Sequence, residues 1–129
     1  MNEAARRFSD QLEAEPTRIG FFYYAGHAVQ IGGVNYLLPL GADIADEDDV
    51  EFEAFDVRRL LRQIDSANNH ANVVVLDACR NNPFRGLFRS PVLGLAGIGA
   101  PRNTMIAFST GPNQLAPDNG LYAQTLAEQ

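Results

Sequence analysis

Four short stretches of the chain are rich in aliphatic, aromatic and β-branched residues, and polar, glycine or proline residues flank them. They comprise residues 19–25, 34–38, 73–76 and 104–109. Apolar runs of this length predict β-strands. The nearly continuous apolar character of residues 19–25 and 73–76 further predicts that these two strands are buried on both faces, as in a parallel sheet.

Helical patterns alternate with these strands. Residues 4–14 form an amphipathic segment, and residues 57–64 carry apolar side chains at i, i+3, i+4 and i+7, with Asp56 placed to cap the helix. Residues 121–128 predict a closing helix, and the glycine- and proline-containing residues 85–102 predict a long loop. Strands that alternate with helices predict an α/β fold with a mainly parallel sheet, in a single domain.

The composition narrows the possible chemistry. The chain has 129 residues, a formal net charge of −6 and one cysteine, and all 10 of its basic residues are arginine. One cysteine excludes an internal disulfide and a cysteine-rich zinc site, and the lack of lysine excludes Schiff-base and P-loop mechanisms. The negative charge and the lack of a long apolar run argue against nucleic acid and membrane as partners.

Two residues with nucleophilic or acid–base chemistry follow predicted strands. His27 comes after residues 19–25, and Cys79 comes after residues 73–76. If the two strands are neighbours, their carboxyl ends bring these side chains to one edge of the sheet, as a thiolate and its general base. A lone histidine or cysteine is more often structural, so position alone leaves both interpretations open. His70 lies in a predicted surface turn and receives no role.

Three motifs, in this order, resemble those of caspase-like cysteine peptidases, the group of caspases, metacaspases and paracaspases. Residues 22–27 (FYYAGH) resemble the histidine motif, residues 74–84 (VVLDACRNNPF) the cysteine motif in its bacterial form, and residues 106–112 (IAFSTGP) the strand that borders the substrate groove. About 50 residues separate the histidine from the cysteine, the spacing already known for caspases. The resemblance implies a caspase-like three-layer α/β sandwich, in which helices flank a mainly parallel sheet.

The resemblance also implies that the N-terminal part of the fold is missing. Family domains begin with a strand and a helix upstream of the histidine strand, whereas this chain opens on what resembles the helix directly before it. A missing first strand would leave the edge of residues 19–25 unpaired, which predicts self-association through that edge.

By the same resemblance, Cys79 is the nucleophile and His27 the general acid and base of a dyad. The backbone N–H groups of Ala28 and Cys79 would form the oxyanion hole. The family usually has glycine where this chain has Ala28, and alanine loses easy access to positive φ.

A preference for arginine or lysine at P1, the substrate residue before the cleaved bond, is implied as well. Asp77 stands two residues before the nucleophile, where metacaspases and paracaspases carry aspartate. Asp118 aligns near the caspase arginine that reads a substrate aspartate, and Ser109 borders the same pocket. Carboxylates pair strongly with a guanidinium. Structural interpretations stay open: a backbone contact for Asp77, a turn for Asp118, and a strand position for Ser109.

The expected partner is a peptide or protein substrate, in a reducing compartment such as the cytoplasm. No organic cofactor is expected, and the acidic residues 46–49 leave calcium open, although they lack EF-hand spacing. Two other functions stay open. One is a catalytically inactive caspase-like module that binds peptides or partners. The other, less favoured, is a metal site formed by His27, His70 and Cys79.

Overall fold

The computed structural model describes residues 1–79 and 94–109, together with Ala127. Its helices are α1 (Asn2–Ala14), α2 (Val50–Glu53) and α3 (Val57–Ala67). Its strands are β1 (Ile19–Ile31), β2 (Val34–Leu37), β3 (Phe55–Asp56), β4 (Ala71–Cys79) and β5 (Thr104–Phe108). No described helix is long and apolar enough to cross a lipid bilayer. Apart from Ala127, the predicted closing helix lies outside the described residues, as does the first half of the predicted loop.

The five described strands form one sheet in the order β3-β2-β1-β4-β5. β1 pairs in parallel with β4, from Ile19 opposite Ala71 to His27 opposite Cys79. β5 pairs in parallel with the other side of β4, and the last residues of β1 pair antiparallel with β2. The parallel centre of the sheet confirms the predicted α/β class.

Helices α1 and α3 cover one face of this sheet. The even-numbered side chains of the parallel strands point to this face, and Val74, Leu76 and Ala78 of β4 are buried in one core with Leu12 of α1 and Leu60 of α3. The apolar positions that predicted α3 are all buried: Val57, Leu60, Leu61 and Ile64. The sequence pattern of this helix therefore identified its buried side correctly.

Among the described residues, a second buried cluster covers one end of the opposite face. Val29 of β1 and Tyr36 of β2 are buried there with Ile44 and with Val50 of α2. Because Ala28 and Leu37, the next residues on the same strands, belong to the core under α1 and α3, this second cluster lies on the other side of the sheet. Helices on both sides of the sheet agree with the predicted layered sandwich.

The prediction that residues 19–25 are buried on both faces is wrong. Burial along this part of β1 alternates, and Ile19, Phe21 and Tyr23 are exposed, with Phe21 at 56%. Met105 of β5 is exposed as well. These odd-numbered side chains lie on the face opposite α1 and α3, beyond the end that α2 covers. The apolar run predicted the strand correctly, but it did not show which face of that strand the described helices cover.

One edge of β1 also lacks a neighbour in the described part of the chain. Residues 19–26 pair with β4 on one side, and across residues 1–79 and 94–109 no strand pairs with their other side. β2 begins its pairing only at Ala28. This arrangement agrees with the predicted unpaired edge, and self-association through it stays a prediction.

Helix α3 begins at a well-defined cap. The carboxylate of Asp56 accepts a hydrogen bond from the backbone N–H of Arg58 at 2.8 Å and forms an ion pair with its guanidinium. Partial burial raises the pKa of Asp56, but the hydrogen bonds and charge of Arg58 outweigh it and leave that pKa below its ordinary value. The predicted N-cap is confirmed.

Candidate active site

The parallel register brings the predicted dyad to one place. β1 and β4 are direct neighbours, and His27 lies opposite Cys79 in the final pair of their shared register. Neighbouring strands lie about 4.8 Å apart, so the two backbones are adjacent. The imidazole of His27 is exposed, whereas the side chain of Cys79 lies outside the described part of the chain.

The strand ends differ from the prediction in one respect. His27 and Cys79 were expected just beyond their strands, yet β1 continues through His27 to Ile31, and Cys79 is the last residue of β4. Gly26 does not interrupt β1, because the chain passes directly from pairing with β4 to pairing with β2 at Ala28. In the described register, His27 therefore lies where pairing with β4 gives way to pairing with β2, and not at the end of a strand.

Tyr24 holds the backbone of His27, a role that the sequence did not reveal. Its hydroxyl lies 2.6 Å from the carbonyl oxygen of His27 and 2.9 Å from that of Leu38, so its single proton is shared between these two acceptors. Burial raises the pKa of Tyr24 to about 12, against a weaker lowering effect of its hydrogen bond to Leu38. A Cβ on Gly26 would lie 2.7 Å from the Tyr24 hydroxyl, which explains why this position carries glycine.

The predicted oxyanion donor on Ala28 faces β4. The N–H of Leu38 donates to the carbonyl of His27 at 2.9 Å, so that carbonyl points towards β2. Because the peptide bond is trans, the N–H of Ala28 points the opposite way. Ala28 does not adopt a positive φ, so the absence of glycine at this position causes no backbone strain.

The second predicted donor, on Cys79, faces β1. The N–H of Ser109 donates to the carbonyl of Leu76 at 3.2 Å, so this carbonyl points towards β5. The alternation of a strand then turns the N–H of Cys79 towards β1. Both donors therefore face the neighbouring strand at the last pair of the register. An oxyanion gains access to them only where the pairing of β1 with β4 ends.

Asp77 lies on the same face of the sheet as His27. Its register partner is Ala25, one position before the final pair on that face. The hydroxyl of Tyr23 donates to Oδ2 of Asp77 at 2.9 Å, a contact that the sequence pattern did not predict. Ser109 follows β5 on this face, and its hydroxyl oxygen is buried without a hydrogen-bond partner among the described residues. Asp118 lies outside the described residues.

Comparison with models of protein families gives one match that decides the family. The model of the caspase domain matches residues 1–129. The chain belongs to the caspase domain family. The membership supports a caspase-like cysteine peptidase domain, in agreement with the resemblance of the histidine and cysteine motifs. No curated protein matches the sequence.

A cleft beside His27 adds a concave surface to this caspase domain. Its volume is about 530 Å³, and it lies where β1 leaves β4 and meets the segment after β2. Its walls are mainly apolar, and they include Met1, Tyr24, Ala25, His27, Leu38, Pro39 and Leu40. The histidine therefore borders a groove that is large enough for a peptide side chain.

The acidic residues 46–49 mainly stabilise their own loop in the caspase domain. The carboxylate of Asp46 accepts from the N–H groups of Asp48 and Asp49. The carboxylate of Asp49 accepts from the N–H groups of Ala45 and Asp46. Within the described residues, no group of three or more histidine, cysteine or acidic side chains is placed to hold a metal ion.

The metal site of His27, His70 and Cys79 is excluded by the fold. His70 directly precedes β4, and Cys79 ends it, so the nine-residue strand separates them. At about 3.3 Å per residue, this separation is about 30 Å. Ligands of one ion must all lie within about 2.5 Å of it, so these three residues cannot share a metal ion.

Proposed function

We propose that this caspase domain is a cysteine endopeptidase that uses Cys79 as the nucleophile and His27 as the general acid and base, with arginine or lysine preferred at P1. The observation that supports this proposal most directly is the register of β1 and β4, in which His27 is the partner of Cys79 at the carboxyl end of the parallel pair. Chemistry in open parallel sheets collects at that end.

The proposed reaction begins with proton transfer from the Cys79 thiol to the imidazole of His27. The thiolate attacks the carbonyl carbon of the scissile peptide bond, and a C–S bond forms. The developing oxyanion accepts hydrogen bonds from the N–H groups of Ala28 and Cys79. His27 then returns its proton to the leaving amine as the C–N bond breaks. Water, deprotonated by His27, hydrolyses the thioester and restores the thiol.

The orientation of the two oxyanion donors adds a condition to this mechanism. In the described register, the N–H groups of Ala28 and Cys79 face the neighbouring strand. The terminal pair formed by His27 and Cys79 must therefore separate before the two donors can bind an oxyanion. Because this pair is the last one in the described register of β1 and β4, opening it leaves the preceding described pairs intact.

The proposed P1 preference rests on the negative charge of Asp77 and on its position on the same face of the sheet as His27. Asp77 provides a carboxylate one position before the dyad on the same face, and Ser109 provides a buried hydroxyl that has no partner in the described part of the chain. A substrate group that pairs with the carboxylate and bonds the hydroxyl would satisfy both residues. Asp118 is proposed as a further acidic residue of this pocket.

Fluorogenic peptides that end in arginine, lysine or aspartate at P1 test the activity. We expect turnover after arginine and lysine, and a loss of at least about a thousandfold in Cys79→Ala and in His27→Ala. His70→Ala is the matched control, because His70 is an exposed histidine at the opposite end of β4. Cleavage after aspartate alone would refute the pocket, and a folded chain without any turnover would refute the peptidase.

A caspase-like module that binds peptides without cutting them is the second candidate. The observation that favours it is the closed terminal pair, in which both oxyanion donors face the partner strand. Such a module would bind the arginine-ended peptide with the same affinity before and after Cys79→Ala and would release it uncut. Mass spectrometry of the peptide after incubation separates the two functions directly.

A further inference from the structure

Tyr23 and Asp77 lie diagonally across the β1–β4 pair. The register places Tyr23 opposite Val75 and Ala25 opposite Asp77, so all four side chains share the face on which His27 lies. Diagonal neighbours on adjacent strands are within reach of a long aromatic side chain. The hydroxyl of Tyr23 uses this reach and donates to Oδ2 of Asp77 at 2.9 Å.

The residue directly opposite Asp77 leaves the carboxylate accessible. Ala25 is exposed and has only a methyl side chain, so it does not cover its partner across the strands. In the described part of the chain, Asp77 accepts no hydrogen bond other than that of Tyr23 and forms no ion pair. Among the described residues, its Oδ1 therefore has no partner and can accept from a ligand, and Oδ2 retains a second lone pair.

Anchoring one oxygen restricts the orientation of a carboxylate. An aspartate on a strand otherwise rotates about its terminal torsion, and a single hydrogen bond to Oδ2 restricts that rotation. A guanidinium binds a carboxylate through two parallel N–H donors, so it needs the plane of the carboxylate to be fixed. An ammonium group is a compact charge that accepts many orientations. Fixing Asp77 therefore favours arginine over lysine.

We propose that Tyr23 is a positioning residue of the P1 pocket, and that its hydroxyl orients Asp77 so that the pocket takes arginine in preference to lysine. This inference rests on the proposed function, since it assumes that Asp77 contacts the P1 side chain. It narrows the substrate from basic residues in general to peptides with arginine at P1. Tyr23 acts through Asp77 and does not itself touch the scissile bond.

Peptide binding to the Cys79→Ala chain tests the inference without turnover. The probes are fluorescently labelled peptides that differ only in a terminal arginine amide, lysine amide or citrulline amide, the last being a neutral isostere of arginine. We expect tightest binding for arginine. Tyr23→Phe should weaken arginine binding by roughly 3- to 10-fold, change lysine binding by less than about 2-fold, and leave citrulline unchanged. Tyr36→Phe is the matched control, because it removes a hydroxyl from β2, where Tyr36 pairs with Val29 and not with the part of β1 that holds Tyr23.

The outcomes separate this inference from the proposed function. Equal binding of arginine and citrulline to the Cys79→Ala chain shows that no acidic P1 pocket exists, which overturns both this inference and the P1 preference in the proposed function. Preference for arginine that Tyr23→Phe leaves unchanged relative to lysine overturns the role of Tyr23 alone. Asp77→Asn provides an independent check: in that background, Tyr23→Phe should have no further effect on the ratio of arginine to lysine binding. A persisting effect there contradicts a role through Asp77.

Discussion

Tyr24 and Gly26 constrain each other at the site. The Tyr24 side chain reaches along β1 past Gly26 to the carbonyls of His27 and Leu38, and any side chain at position 26 would occupy its path. A glycine that resembles a strand breaker in the sequence is in fact required for a hydroxyl contact that holds β1 to the segment after β2. This contact fixes the carbonyl of His27 on the side of β1 that faces β2.

Gly26→Ala should therefore displace the Tyr24 hydroxyl and destabilise the fold. The loss of this partly buried hydrogen bond should lower the free energy of unfolding by about 1–3 kcal/mol and reduce any peptidase activity through the shift of His27. Urea unfolding at neutral pH measures the first effect. Gly97→Ala is the control, because a Cβ there meets no atom within 4 Å and no positive φ is involved. Equal stability of the two variants would contradict this interpretation of Gly26.

At the scale of elements, the start of α3 combines a cap with a charge pair. Asp56 accepts from the backbone N–H of Arg58, and its carboxylate pairs with the same residue's guanidinium. Its pKa in the folded protein is below the ordinary value of 3.8. The carboxylate therefore stabilises the folded state above about pH 3.8, and this contribution disappears as the pH falls through the lower folded value.

Two substitutions at Asp56 should separate the cap from the charge. Asp56→Ala removes both, and should cost about 1 kcal/mol of unfolding free energy at pH 7. Asp56→Asn retains an acceptor for the N–H of Arg58 and should lose less, but its stability should depend less on pH between pH 5 and pH 3 than that of the parent chain. Urea titrations at both pH values measure these differences. An Asn variant with the parent's full acid sensitivity would falsify the assignment.

The two long parallel strands, β1 and β4, position the site. The apolar runs predicted strands at residues 19–25 and 73–76, but the pairing extends both of them to the final pair of His27 and Cys79. Local sequence did not indicate this extension, because the residues between, among them Gly26 and Asp77, are poor strand formers. Pairing with a neighbouring strand outweighs the local preference at these positions.

At the scale of the whole molecule, the exposed part of β1 is the surface on which we expect association. Its side chains Ile19, Phe21 and Tyr23 lie on a face that the described helices leave open, beside an edge without a described neighbour. Edge strands that carry apolar side chains and no charged ones readily pair with other chains. We expect the chain to self-associate through β1 with increasing concentration.

Phe21→Lys should reduce this association, since a charge on an edge strand opposes pairing with a second copy. Sedimentation velocity over a range of concentrations measures the effect. Phe52→Lys is the matched control, because Phe52 is also exposed, at 85%, but lies on α2 away from this edge. If both variants associate as strongly as the parent chain, β1 is not the contact surface.

The sequence predicted some of the site and could not predict the rest. Two apolar runs predicted that His27 and Cys79 meet if their strands are neighbours, and the register of β1 and β4 makes these strands neighbours. The contacts of Tyr23 and Tyr24 were not predicted, since both tyrosines belong to an aromatic run in which every side chain was expected to be buried. Only the register shows that Tyr24 points to the helices and Tyr23 to the opposite face, where it reaches Asp77.

Sequence alone determined the class of fold, the periodic face of α3, the cap at Asp56 and the family, because these depend on local spacing and on motifs. Tertiary structure decided which face of β1 is exposed, where β1 changes partner, and towards which strand the amides of Ala28 and Cys79 point. These features depend on which strands are neighbours and on their register. A shift of one residue in that register would place His27 and Asp77 on opposite faces of the sheet, and no local pattern in the chain encodes it.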